Sequence, residues 1–395
     1  MADIIKIALV LALVVLLLRR GLQVGVVMLL GALGMALLYF MSPGAVLGAA
    51  LRAATKPVSL KLFVALSAIR AFEMLLRQRG LLQGMTEAAG GLLRSQRMVV
   101  VSMPLLIGML PSVGGAYFSA PMVQEASRGG GLSAEDKGFI NYWYRHPWEY
   151  VLPLYPGLVL AAALSGHELR GWIAANLSYA LALLLGGFLF GLRRLKKAPH
   201  SPRRLQGRGL GNFWPLAAVL LLVMALGVEL HWALLGVLAA LLLGYRYKDL
   251  RALLRHALSG EVLVLIFGVM FFKEVMEASG AVEGLSAFLV GAGVPLVVVL
   301  AVLPLTGGLL TGLTIGFVGA TFPLLMSLPG GESLQSLSFA FAWGFVGVLL
   351  SPVHVCLILT REYFKADLGG MYRRMLPAGA LIALVAVVQR GLLHF

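Results

Sequence analysis

Apolar runs of about 15–20 residues recur along the whole chain, and two longer ones are broken internally by Pro, Gly, Ser and Thr. A run of that length makes a helix of about 30 Å, the thickness of a bilayer's hydrocarbon core, whereas barrel strands would alternate polar and apolar residues. The continuous runs are 3–18, 22–41, 58–77, 138–163, 170–192, 213–228, 231–245, 260–278, 335–360 and 375–393; the broken ones are 97–127 and 295–327. Only 12% of residues are charged, about half the share in soluble domains. Such a chain has too little polar surface to cover itself and belongs in lipid. The start, MADIIKIALVLALVVLLLRR, carries its arginines after the apolar core and has no small-residue cleavage site, so it reads as a first span rather than a signal peptide.

The net charge of +15 and single Cys356 bound the partners. One cysteine excludes an internal disulfide and a cysteine metal cluster. The excess positive charge suits basic cytoplasmic loops rather than a nucleic-acid surface. The segment 193–209, RRLKKAPHSPRRLQGRG, holds seven of these residues and two prolines and reads as an extended cytoplasmic linker. It divides the chain into a first repeat 1–192, a linker 193–212 and a second repeat 213–395.

A shift of 200 residues superposes the halves. It pairs Gly80 with Gly280, Gly84 with Gly284, Gly91 with Gly291, Gly108 with Gly308, Pro104 with Pro304, Phe139 with Phe339 and Trp143 with Trp343. Internal repeats of this kind define an architecture. If each broken stretch enters and leaves on one side, each half crosses five times, and an odd number inverts the second copy. With the linker inside, the cytoplasmic segments take Arg19, Arg20, Arg77, Arg79, Arg94, Arg97, Arg128, Lys137, Arg246, Lys248, Arg251, Arg255, Arg361, Lys365, Arg373 and Arg374. The outer ones keep Lys6, Arg52, Lys56, Lys61, Arg170 and Arg390. That asymmetry obeys the positive-inside rule and places both termini outside. The expected fold is an all-α polytopic membrane protein: an inverted repeat of five transmembrane helices plus one re-entrant hairpin each, ten spans and two hairpins in all.

Broken backbone is tolerated at membrane depth only inside protein or beside a water-filled cavity, because each unpaired group costs several kcal/mol in hydrocarbon. LPSVGGAYFSAP, residues 110–121, therefore reads as a hairpin tip: Pro111 ends one half-helix, Gly114 and Gly115 permit the reversal, and Ser112 and Ser119 bring hydroxyls. Its counterpart LTGLTIGFVGATFP, residues 310–323, offers Thr311, Thr314 and Thr321 around Gly316. The bland alternative is that Gly308, Gly312 and Gly316, four apart, only smooth a helix face for packing. A second broken element follows each hairpin, with Pro147, Pro153 and Pro156 in 138–163 and Ser351–Pro352 in 335–360; prolines free carbonyls that suit a cation or substrate.

Charged residues in spans default to functional hypotheses. Arg145 and Glu149 are four apart with His146 between them, and His354 lies beyond the second break. Arg145 either pairs with Glu149 or meets an anionic substrate, leaving Glu149 to carry a proton; the histidines are titratable near neutral pH or merely hydrogen-bonded. Arg70 with Glu73, and Lys273 with Glu274 and Glu277, read as structural pairs. The chain has no P-loop, HExxH, GxSxG or dinucleotide-binding glycine pattern, which disfavours a nucleotide-driven pump or a protease.

In LPSVGGAYFSAP and NYWYRHPWEY the sequence resembles a family of prokaryotic integral membrane proteins classed as a domain of unknown function. That family looks like a member of the ion transporter superfamily, with gluconate permeases, citrate transporters, sodium–dicarboxylate symporters and the large membrane subunit of tripartite periplasmic transporters as relatives. The resemblance spans nearly the whole chain. It implies a scaffold domain, often a homodimer, and a transport domain of two hairpins and two broken helices that moves as an elevator. It places the tips on Pro111–Ala116 and Thr311–Gly316 and the breaks near Pro147–Pro153 and Ser351–His354. The Ser-Asn-Thr tips of the sodium–dicarboxylate branch are absent.

The resulting expectation is an inner-membrane secondary transporter, not an enzyme, for a small anionic organic solute, coupled to Na⁺ or H⁺ and without another cofactor or metal. Substrate contacts are expected from Ser112, Val113, Gly114, Gly115, Ser119, Asn141, Arg145, His146, Thr311, Thr314, Gly316, Ser351 and His354. Ion coupling is expected at Ser112, Glu149, Thr311 and Thr314. Partners are the solute, the bilayer and a second copy. The alternatives are a passive channel or a membrane subunit of a larger complex.

Overall fold

The computed structural model describes residues 2–81, 83–85, 88, 95–111, 115–195, 211–245, 249–281 and 292–393, and among them every regular element is helical. The linker residues 196–210, the loop 282–291 and the first tip 112–114 lie outside the described residues.

The element order runs twice. In the first half come helices Ala2–Arg19, Val24–Leu38, Pro43–Thr55 and Pro57–Gln78, then a pair Gln96–Gly108 and Gly115–Ala126, then the interrupted set Ala134–Trp143, Trp148–Val151 and Pro156–Ser165, and last Leu169–Phe190. The second half gives Trp214–Leu220 with a π-helical turn to Ala225, Leu230–Tyr245, Leu250–Ala257, Gly260–Ala278, the pair Leu296–Thr311 and Thr314–Met326, the interrupted Leu334–Leu350 and Val355–Phe364, and Leu368–Leu393. Two of these helices, Pro43–Thr55 and Leu250–Ala257, do not figure among the apolar runs. Arg52 in one, and Arg251, Arg255 and His256 in the other, dilute their hydropathy. They occupy equivalent places, just before the third long helix of each half.

Local chemistry sets the boundaries. Ser42 caps its helix by accepting from Ala45 N at 3.3 Å, with Pro43 in the first turn where its missing N–H costs nothing. Ser133 and Asp136 form a reciprocal capping box on Ala134–Trp143. Gly166 and Gly312 end their helices in the left-handed region, φ +72° and +63°.

Both paired segments are hairpins whose ends close on one side. Gln96 Nε2 donates to the carbonyls of Ala126 and Arg128, each at 3.0 Å. In the second, a Cβ on Gly330 would stand 3.5 Å from the Leu296 side chain, so entry and exit lie together.

The halves exchange elements reciprocally. Val24–Leu38 packs on Gly260–Ala278, and Leu230–Tyr245 packs on Pro57–Gln78. Gly115–Ala126 packs on Val355–Phe364, and Thr314–Met326 packs on Pro156–Ser165. The closest approaches use glycine: Gly25 and Gly268 cross backbone to backbone, and Gly308 lies against Gly344 and Val348, its Cβ position 2.9 Å from Val348 N. Two packing groups result, one of the leading helices and one of hairpins, interrupted helices and the two final helices, the latter around an aromatic core of Trp172, Phe317, Phe322, Phe341 and Phe345.

Among the described residues, three helical segments, Leu169–Arg194, Leu334–Phe364 and Leu368–Leu392, suffice by length and composition to cross a membrane, and seven other apolar helices are 10–17 residues long. Large apolar side chains cover the outside: Leu37 and Leu243 are 76% and 81% exposed, a surface suited to lipid.

Candidate functional site

Carbonyls in the incoming hairpin helices find side-chain partners on the interrupted helices. After Trp143 the chain turns tightly, His146 N donating to Trp143 O at 3.2 Å, and Pro147 then stops the helix. On the second interrupted helix, Ser351 Oγ donates to Leu309 O at 2.7 Å. On the first, Trp148 Nε1 donates to Leu105 O at 2.7 Å and the Tyr155 hydroxyl donates to Gly108 O. Gly108 is required there: its Cβ would run into the Arg145 backbone, 2.9 Å from Cα. The breaks thus cap the hairpins, which satisfies the rule for irregular backbone away from water.

Between the breaks lies a cluster of chemically active groups. His146 Nε2 faces His354 Nε2 at 3.2 Å. Their Nδ1 atoms are held by Tyr142 O at 2.6 Å and Gly312 O at 2.9 Å. Thr314, which opens the outgoing helix of the second hairpin, donates to Glu149 Oε2 at 2.6 Å, and Glu149 Oε1 is 3.9 Å from His146 Nε2. Thr314 is positioned by Gly157, where a Cβ would fall 2.8 Å from Thr314 Cβ. Cys356 Sγ and one ring nitrogen of each histidine lie within 4.8 Å of one another.

Arg145 stands beside this cluster in a different state. Its residue is 4% exposed, and among the described residues its Nε and Nη1 have no hydrogen-bond partner. The pairing of Arg145 with Glu149 is not formed, because Glu149 turns to Thr314 and His146 instead. Salt bridges in the third long helices are also rearranged. Glu73 pairs with Arg77 at 2.9 Å rather than with Arg70, which reaches Glu261 at 3.6 Å. Buried Glu274 is held by Arg52 at 2.9 Å and by Lys56, while Lys273 takes Glu277 at 3.5 Å. The Arg70–Glu261 pair and the Arg52 and Lys56 contacts to Glu274 join separate leading helices, whereas Glu73–Arg77 and Lys273–Glu277 each lie within one helix.

Other expected site residues are spent locally. Ser119 Oγ donates back to Gly115 O and Ala116 O at 3.3 Å. Thr311 Oγ1 closes its own turn, accepting from Leu313 N at 3.2 Å, and a Cβ on Gly316 would meet it at 3.1 Å. Asn141 sits apart, donating to Ala116 O at 3.0 Å and Thr360 Oγ1 at 3.2 Å, with its own Oδ1 unpartnered. Ser112, Val113 and Gly114 of the first tip lie outside the described residues. Cys356, Tyr155 and Trp148 were missed as site residues. Their signal was placement within a few residues of a proline break.

A separate cavity of about 450 Å³ opens between the leading helices and the first interrupted helix, lined by Lys61, His167, Glu168, Arg170, Glu229 and His231 among apolar groups. None of the clustered groups lines it. Here the Lys61 hydrogen bond holds the Glu229 carboxyl below the usual glutamate range.

The architecture packs hairpins and interrupted helices together in an all-helical fold with an apolar exterior. It is similar to the YdaH transporter of Alcanivorax borkumensis, described as having an unusual topology, at 16% identity and a TM-score of 0.58 over 89% of this chain and 87% of that one. Residues 4–392 match the family described as protein of unknown function DUF401, and the chain belongs to that family. No curated protein matches the sequence.

Proposed function

We propose that this chain is a secondary active transporter of a small anionic organic solute, carboxylate-like, across the prokaryotic inner membrane. The observation that carries the reading is Arg145, a buried guanidinium with Nε and Nη1 unpartnered. A buried cation without a partner is costly and persists where a ligand completes it, and the planar fork of Arg matches a carboxylate bidentately. Ser351, His354 and Thr314 supply further polar groups nearby, and Glu149 is available to carry H⁺ or join a Na⁺ shell.

The reciprocal exchange between halves supports an inverted ten-span repeat, since each half completes the packing of the other. Helices of about 15 residues reach about 23 Å, so several crossings need flanking residues or local thinning of the bilayer. Basic residues then put 193–209 in the cytoplasm and both termini outside. The two packing groups favour an elevator: the leading helices as a scaffold, through which a homodimer forms, and the hairpin group as the moving unit. The 450 Å³ cavity lies on the seam and serves as a vestibule.

The test is uptake of candidate carboxylates into proteoliposomes under an imposed Na⁺ or H⁺ gradient. Saturable accumulation against the solute gradient is expected, and Arg145→Gln should abolish it. Unsaturable downhill conductance would favour a channel.

A further inference from the structure

The two buried histidines have an unusual electronic requirement. Tyr142 O and Gly312 O are carbonyl oxygens and only accept, so His146 and His354 must each donate from Nδ1. In the neutral rings Nε2 then carries a bare lone pair, and the two lone pairs confront each other across 3.2 Å. Something positive must stand between or beside them: a shared proton or a metal ion.

Three features favour the metal. An imidazole ligand usually donates its other ring N–H to a carbonyl or carboxylate, which fixes the ring and raises its basicity; both rings do so here. Two nitrogens each 2.0–2.1 Å from one tetrahedral Zn²⁺ stand about 3.3–3.4 Å apart, close to the observed separation. Cys356 Sγ lies within 4.8 Å of a ring nitrogen of each histidine, a donor that a shared proton does not need. Glu149 lies at the edge of this group, Thr314 occupying Oε2 and Oε1 standing 3.9 Å from His146 Nε2, so a turn of its side chain is needed for it to act as a fourth ligand.

We propose that His146 Nε2, His354 Nε2 and Cys356 Sγ, with Glu149 Oε1 as fourth donor, bind a borderline-soft divalent cation of the Zn²⁺ class. Mixed N, S and O donors select that class over Na⁺ or Mg²⁺. Binding converts the Cys356 thiol to thiolate and releases its proton to solvent. The thiolate and the Glu149 carboxylate together neutralise the ion, so Arg145 keeps its charge for an anion. The reading does not depend on which solute is carried, but it takes His354 and Glu149 from the proposed transport site, where a bound metal would replace the H⁺ or Na⁺ role given to Glu149.

The experiment titrates the purified full chain, in detergent, with Co²⁺ and then Zn²⁺. The expected result is one Co²⁺ per chain, with a thiolate-to-cobalt charge-transfer band in the near ultraviolet and tetrahedral d–d bands in the visible, both lost on adding Zn²⁺. Even outer partners of metal ligands are worth roughly 10–100-fold in affinity, so loss of the direct ligand in Cys356→Ser should remove the ultraviolet band and weaken binding by about 100-fold or more, and His354→Gln should abolish stoichiometric binding. Melting of the metal-free variants checks that each is folded. If His354→Gln does not fold, the near-isosteric Cys356→Ser decides alone. Absence of one-to-one binding, which would leave a shared proton between the rings, overturns the proposal. So does binding of equal strength in folded Cys356→Ser. Neither result bears on solute uptake, which is measured separately.

Discussion

Removing Arg145's charge should stabilise the empty protein while destroying its use. Nε and Nη1 are buried without partners, and an unsatisfied buried donor costs about 1–3 kcal/mol, more when charged. Two such donors put the cost near 2–6 kcal/mol. Arg145→Met keeps most of the apolar stem and removes both donors. Some packing around the guanidinium is lost, so a net gain of about 2 kcal/mol is expected. In the wild type a bound carboxylate at 100 times its Kd adds about 2.7 kcal/mol by mass action; in Arg145→Met it should add nothing. The assay is thermal melting in detergent of both proteins, each with and without the solute, alongside uptake in proteoliposomes. Expected is a higher Tm for solute-free Arg145→Met, no further rise with solute and no uptake. A lower Tm than wild type with the solute shift retained would refute the reasoning and make Arg145 a structural cation.

Gly316→Leu should block uptake with little loss of helicity, since its Cβ position already stands 3.1 Å from Thr311 Oγ1 at the second hairpin's turn; circular dichroism and uptake on one preparation test this. Glu274→Gln should cost about 3 kcal/mol in melting experiments, because a 2%-exposed carboxylate side chain holds both Arg52 and Lys56 against the leading helices; an unchanged Tm would remove that tie from the architecture. Glu229, held below its ordinary range by the Lys61 hydrogen bond, contributes stability that is present above the unfolded glutamate pKa and lost as pH falls through the lowered folded value. Glu229→Gln should therefore melt slightly lower than wild type at pH 7, by less than about 1 kcal/mol for so exposed a pair, and equally at strongly acid pH. Cysteines at Ser201 and Ser286 in a Cys356→Ser background should be labelled by impermeant reagents only from the cytoplasm and only from outside, respectively, and outside labelling of Ser201→Cys would overturn the topology.

Much was determined by the sequence alone, because its signals are local or periodic. Apolar run length sets the helices whatever their neighbours. Pro147 and Pro352 favour a break because proline has no N–H, although Pro104, Pro304 and Pro377 sit inside continuous helices. The 200-residue recurrence of Gly108 and Pro104 signals an element order that runs twice. The short helices Pro43–Thr55 and Leu250–Ala257 escaped because their charges hide them from a hydropathy reading, although both lie at equivalent places in the repeat. Partnership was not legible. Arg145 and Glu149 are four apart on paper, the spacing of a helical ion pair, yet the break at Pro147 ends the regular geometry on which that spacing depends. Glu149 instead meets Thr314, 165 residues away. His146 and His354 are separated by 208 residues, and their approach to 3.2 Å exists only because the two interrupted helices cross between the hairpins. Residue types and breaks are properties of the chain; which lone pair faces which, and which cation is left without a partner, are decided where separate helices pack.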